Sequence, residues 1–134
     1  MQPTIKIDAN VITDETAYSS DQPVKRFDIV VHKAPITEEY KELGIDENTK
    51  FIFRLIGLSN EKIELKNGKV FINDKLLGEP FEKYPSNDNF GPIVIPENEF
   101  FLLGDNRSES NDSRYWKPST IKRENIFGKA VKIF

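Results

Sequence analysis

Cysteine is absent from the 134 residues, which removes disulfides, thiol nucleophiles and thiolate-bound metals together. Histidine occurs once, as His32, and one imidazole cannot build a metal site alone, so neither a metal nor another cofactor is expected. No stretch approaches the roughly 18 consecutive apolar residues of a membrane span, and the first residues are not a charged segment leading into an apolar one. Neither a span nor a signal peptide is therefore read in these residues. Charge of one sign is also lacking: 19 basic and 22 acidic side chains interleave to a net −3. No positive stripe follows a phosphate backbone, and nucleic acid is not an expected partner.

What is present favours a folded chain. Charged residues make up 31% and apolar residues 37%, and the Phe, Ile, Val and Leu are spread along the length, which argues against disorder. The chain suits one domain, 1–134, better than two. RFDIVV at 26–31 and FIFRLIGL at 51–58 are β-branched and aromatic runs of strand length. Asn67-Gly68 lies between two alternating segments in KIELKNGKVFIND, which predicts a hairpin, placed here at the sheet edge. PIVIPENEFFLLGDN and ENIFGKAVKIF read as further strands. One short helix is predicted over 36–43, with Thr37 as its cap and Gly44 at its end. The expected fold class is all-β: bent antiparallel sheets with one short helix. Tyr84–Pro92 and Gly104–Arg114 read as polar loops.

GDNRSESNDSRYW at 104–116, followed by ENIFGKAVKIF, resembles the C-terminal signature of type I signal peptidases. RLIGL at 54–58, ELKNGKVFINDKLLGEPF at 64–81, PVKRFDIVVHK at 23–33 and MQPTI at 1–5 resemble further segments of that family in the same order. The resemblance implies a membrane-anchored serine peptidase fold of the bent-sheet type, in which a Ser nucleophile and a Lys base cut signal peptides from exported proteins. Such a base has to be desolvated, so that the amine is neutral at working pH.

Two departures follow from the alignment of motifs. The family's nucleophile directly precedes a Met-x-Pro-Thr sequence, which begins here at Met1, so its position falls immediately before the first residue. The base directly precedes the strand Arg, and that place is held by Phe53, which accepts no proton. No catalytic residue is therefore assigned. Lys50 is a weak substitute, because strand alternation points it away from the face of Phe51, Phe53 and Leu55. His32 invites comparison with relatives that use His as base, but it sits in another strand and reads more readily as a surface or packing residue.

By the same resemblance Ser110 would orient the base amine, while Asp112 and Arg114 would pair to brace the loop. The substrate groove would comprise Met1, Gln2, Pro3, Thr4, Ile5, Phe51, Phe53, Leu55, Gly104 and Asp105. Phe27 stands where the family carries Gly, Ser59-Asn60 where it carries Pro-Gly, and Lys117 where it carries Gly. Because Phe adopts positive φ at a cost, a differently shaped turn is expected before the 28–31 strand.

The expected function is a signal-peptidase-like protein that binds or positions an exported protein or pilin at the membrane surface as an extended peptide. Low-GC Gram-positive bacteria contain such proteins associated with pilus assembly, which is the analogy behind the pilin. The resemblance also implies one N-terminal anchor helix upstream and a position outside the cytoplasm. The competing readings are an active peptidase whose Ser lies upstream and whose base is another group, and a structural domain with no ligand.

Overall fold

The computed structural model describes residues 1, 4–5, 9–15, 23–79 and 85–134. Ten strands and one short helix follow in the order β1 (Val11–Asp14), β2 (Ile29–Lys33), α1 (Glu38–Glu42), β3 (Lys50–Gly57), β4 (Lys62–Lys66), β5 (Lys69–Ile72), β6 (Lys75–Leu76), β7 (Phe90–Val94), β8 (Glu99–Leu103), β9 (Ile121–Lys122) and β10 (Ile126–Ile133). They form a six-stranded sheet, β1-β10-β2-β3-β8-β9, and a four-stranded sheet, β6-β5-β4-β7. Every pairing is antiparallel. The all-β reading holds, and the register shifts within several pairs supply the bends that were expected.

Period-two alternation sorts the side chains of β3 and β8 onto two cores. Leu55, Phe100 and Leu102 join Val30, Tyr40, Trp116, Ile121 and Ile126 on one face. Ile56, Phe101 and Leu103 join Ile63, Leu65, Val70 and Ile95 on the other, where the four-stranded sheet covers them. Gly57 lies at the contact between these layers: a Cβ there would come within 3.0 Å of the Phe101 Cβ.

The helix forms where its cap allows. The Tyr40 amide donates to Thr37 Oγ1 at 3.1 Å, and Gly44, at φ +82°, ends the turn. Tyr40 anchors the helix by its burial in the first core. At Asn67-Gly68 both residues have positive φ, as a tight hairpin between right-twisted strands requires. That hairpin is not at the sheet edge as expected: β4 and β5 are the two inner strands, with β6 and β7 outside them.

Two further expectations are corrected. The strand read from residue 26 begins at Ile29, because Arg26 and Phe27 form a turn. That turn keeps the shape a glycine would give it, since Phe27 has φ +75°. Its amide donates to the Leu55 carbonyl at 2.7 Å, its carbonyl accepts from Arg54 Nη1 at 2.9 Å, and its ring packs on the second core. Tertiary contacts thus hold a bulky residue in the left-handed region at a typical cost of ~1–3 kcal/mol. At the Ser59-Asn60 turn, Asn60 supplies the positive φ at +67°.

Candidate functional site

The Gly104–Arg114 polar loop folds into a knot whose two ends are buried, while Ser108, Glu109 and Asn111 at its tip stay exposed. Asp112 and Ser113 are completely enclosed, as are Gly104 and Asp105. Asp112 accepts from the Gly104 amide at 3.0 Å and from Arg114 through Nε at 2.8 Å and Nη2 at 3.0 Å. The expected Asp112–Arg114 brace is therefore present and bidentate, the geometry that makes guanidinium–carboxylate pairs specific. Arg114 also donates through Nη2 to the carbonyls of Arg107 and Ser110 and through Nη1 to Asp88 at 2.8 Å. Arg107 donates to the Gly104 carbonyl at 2.7 Å and to Glu79 at 2.6 Å. Glu79 follows β6 and Asp88 precedes β7, so these bonds tie the knot to the chain on either side of the β6–β7 connection of the four-stranded sheet.

The N-terminal segment docks on this knot. Arg54, on β3, grips Asp105 with Nε and Nη2, both at 2.8 Å, and Thr4 Oγ1 donates to the same carboxylate. The Ile5 amide donates back to the Met1 carbonyl at 3.0 Å. The Met1 amine is half-buried: burial lowers its pKa, while the carboxylates of Asp105 and Asp112 act to raise it. A residue joined to that nitrogen would lie beside the knot. Gln2 and Pro3 lie outside the described residues.

The third component is aromatic. Phe53 on β3 packs its ring 5.5 Å from Trp116, 5.9 Å from Phe51 and 5.9 Å from His32. Trp116 lies 5.8 Å from His32 and donates its indole N–H to Tyr40 Oη at 3.0 Å. The edge of Phe53 also meets Gly104: a Cβ built there would lie 3.5 Å from Phe53 Cε1 and would run into Ser110 Oγ. Position 53 and Ser110 therefore flank the same glycine. Yet the Ser110 hydroxyl has no hydrogen-bond partner among the described residues, although its backbone is held through the Asn106 carbonyl and Arg114.

Of the groove residues, Met1, Thr4, Phe53, Gly104 and Asp105 are thus brought to one place. Leu55 is not a groove residue in this structure: it is fully enclosed in the first core. Phe51 is the next aromatic inward and packs edge-on against Tyr40 at 5.3 Å. Lys50 is exposed and holds its Nζ 4.9 Å over the Phe127 ring, away from Phe53 as alternation requires. His32 is a packing residue with no exposed surface. Its Nδ1 lies 2.7 Å from the Lys33 carbonyl, which can only accept, so the proton sits on Nδ1. Nε2 then carries a lone pair that has no partner. Burial lowers the imidazole pKa to about 4, against a smaller raising effect from the Lys33 carbonyl.

Sequence reasoning missed Arg107, Glu79 and Asp88, which fasten the knot to the second layer. The Arg of the signature was visible, but its acidic partners lie over 25 residues upstream in a stretch with no periodicity. Among the described residues no group of His, Asp and Glu could hold a metal, and no helix is long and apolar enough to cross a membrane. A surface cavity of about 510 Å3, lined by Glu97, Asn98, Glu99, Lys122, Arg123 and Glu124, shares none of the residues above.

The arrangement of knot, docked N-terminal segment and strand position 53 agrees with the comparison to known sequences, in which the signal peptidase family (peptidase S26) matches residues 1–134. This chain belongs to the signal peptidase family. It is 36% identical over its full 134 residues to a signal peptidase I of Leptolyngbya laminosa and spans 64% of that protein. It is 37% identical over 132 residues to thylakoidal processing peptidase 1 of Arabidopsis thaliana, covering 98% of this chain and 38% of the relative. The fold is similar to the crystal structure of a signal peptidase I from Enterococcus faecalis V583, with a TM-score of 0.63 at 26% identity over 82% of this chain and 98% of the other. The chain thus spans between about two fifths and two thirds of these two curated relatives.

Proposed function

We propose that this signal peptidase domain holds an extended segment of an exported protein beside the membrane and does not hydrolyse it. One observation carries the reading. The strand position of the family's base is occupied by Phe53, and beside it the Ser110 hydroxyl, which by resemblance would orient the amine, has no partner among the described residues. Acyl transfer by a serine peptidase needs a base within hydrogen-bond reach of the nucleophile. Lys50 faces solvent on the other side of β3, and His32 is sealed behind the rings of Phe51, Phe53 and Trp116. Neither is placed to take that proton.

Strand addition asks less of the fold than hydrolysis does, because it uses backbone edges and shaped pockets but no catalytic groups. The docked N-terminal segment and the knot supply a fixed frame for such a peptide. A pilin is one candidate partner, by analogy with signal-peptidase-like proteins of pilus assembly. An anchor helix upstream of Met1 and an extracytoplasmic position belong to the same proposal. The competing reading of an active peptidase with another base draws on the family's Asp112–Arg114 brace, which is formed here and which stability alone also explains.

A single experiment separates the two. The full chain with its upstream segment is compared with variants carrying Ser before Met1, Phe53→Lys, or both, on one preprotein substrate. The parent and each single variant should stay at background, since losing members of a nucleophile–base pair costs ~10⁴ to 10⁶ in rate. The double variant should recover part of the activity, limited by how well the aromatic surroundings keep a lysine dry and neutral. Robust cleavage by the parent would overturn the proposal. Binding is read separately: titration with an extended peptide bearing small residues should shift resonances of Thr4, Phe53 and Gly104.

A further inference from the structure

His32 is a buried titratable group that neither the fold's ion pairs nor the family's chemistry uses. It is the sole histidine, it exposes no surface, and three rings stand within about 6 Å of it: Phe51 at 6.1 Å, Phe53 at 5.9 Å and Trp116 at 5.8 Å. Its Nδ1–H is committed to the Lys33 carbonyl. Any further proton must therefore go to Nε2, which has no hydrogen-bond partner among the described residues.

Charged side chains on the surrounding elements are engaged elsewhere. On β3, Lys50 lies over Phe127 and Arg54 is bonded to Asp105. Near Trp116, Arg114 pairs with Asp112 and Lys117 is exposed. On α1, the Tyr40 phenol accepts from Trp116, and Glu38 pairs with Lys41 on the exposed side. On β10, Lys129 pairs with Asp28, which precedes β2, and Lys33 at the end of β2 is exposed. None of them offsets a charge on His32. An imidazolium in this box would be an unpaired buried cation, which costs far more than a neutral ring.

One wall of the box belongs to the candidate groove: Phe53 meets Gly104 beside Ser110, and Trp116, buried in the core behind it, packs on Phe53 at 5.5 Å. We propose that His32 is an acid-sensitive latch for the groove: neutral, it fills the aromatic box and holds Phe53 and Trp116 in place; protonated at Nε2, it must reach water, and the box opens and lets a bound peptide go. This deepens the peptide-holding reading and rests on it for the release step alone. Because burial and not a charged partner suppresses protonation, the open form takes up a proton at the ordinary histidine pKa of ~6.5 while the closed form resists it to about 4. Across that window each pH unit shifts the balance about tenfold toward the open form.

The test uses the full chain with two probes that are each single in the sequence, His32 and Trp116. The imidazole resonances and the tryptophan fluorescence are followed from pH 7.5 to 3.5, and the affinity for an extended peptide bearing small residues is measured at pH 7 and pH 3.5. His32 and Trp116 should change together, well below pH 6.5, and the peptide should bind about threefold or more weakly at the lower pH. In His32→Leu the tryptophan transition and the pH dependence of binding should both disappear. If that variant does not fold, His32→Gln, which keeps polar size without the charge, takes its place. A normal histidine titration near 6.5, or a tryptophan transition that persists in the variant, would overturn the latch. Absence of peptide binding at pH 7 would instead sink the groove reading and the release step with it, whatever the two probes show.

Discussion

The Gly104–Arg114 knot and the box around Phe53 touch at one glycine, and they solve the burial of polar groups in opposite ways. In the knot the buried charges are answered: Asp112 takes four donor groups, Arg114 spreads over four acceptor residues besides Asp112, and Arg107 meets both Gly104 and Glu79. In the box aromatic surface fills the space between elements, and the polar atoms inside it and at its border with the knot, His32 Nε2 and Ser110 Oγ, have no partner among the described residues. The difference teaches which residues the fold itself needs: the knot's charged side chains hold one another in place, whereas position 53 asks only for a side chain that fills the aromatic space.

The comparison breaks most severely at Asp112. Asp112→Ala should cost about 3–5 kcal/mol, since it leaves the buried Arg114 guanidinium without its main counter-charge and the Gly104 amide without an acceptor. Urea unfolding reads this directly, and a loss under about 1 kcal/mol would mean that the knot is not what holds the loop.

Next in size is the pH dependence of the box. Below pH 6.5 the unfolded chain binds a proton on His32 that the folded chain refuses until about pH 4. Stability should therefore be fully present above 6.5 and fall as the pH drops through that window, by about 3 kcal/mol in all. The slope over this range should flatten in His32→Leu. An unchanged slope, measured by denaturation at several pH values, would assign the acid sensitivity to the knot's carboxylates.

The finest test contrasts two serines of the same loop. Ser113 Oγ accepts from the buried Leu102 amide at 2.9 Å, so Ser113→Ala should cost about 1–3 kcal/mol by stranding that N–H. Ser110→Ala removes a hydroxyl that bonds to nothing, and it should leave stability unchanged or raise it by up to about 1 kcal/mol. Equal losses at both positions would show that Ser110 has a partner in solution and that the box is less dry than its packing implies.

Local chemistry made much of this protein readable from its residues. Asn67-Gly68 specified a hairpin because only such residues take positive φ cheaply, Thr37 marked a helix start, and alternation in FIFRLIGL separated Phe51, Phe53 and Leu55 from Lys50. The signature at 104–116 revealed the family, because it depends on residue identity alone, and the phenylalanine at 53 is the residue on which the non-hydrolytic proposal rests. Edge strands such as β1 and β9 carried no readable period, being short and half solvated. The inner place of the hairpin depended on strand order, which only long-range pairing decides. Phe27 was misjudged for a related reason: its intrinsic dislike of positive φ is overruled by Leu55, Arg54 and the second core, none of them near in sequence. The burial of the two ends of the 104–114 segment was likewise invisible, because a polar run reads as a surface loop until its partners, Glu79 and Asp88 among them, are brought from distant segments. Residue types and short spacings thus determined which elements and which chemistry this chain can offer. Tertiary structure alone decided which polar groups find partners and which, like Ser110 Oγ and His32 Nε2, are left without one, because satisfying a buried group requires atoms from distant parts of the chain to meet within about 3 Å.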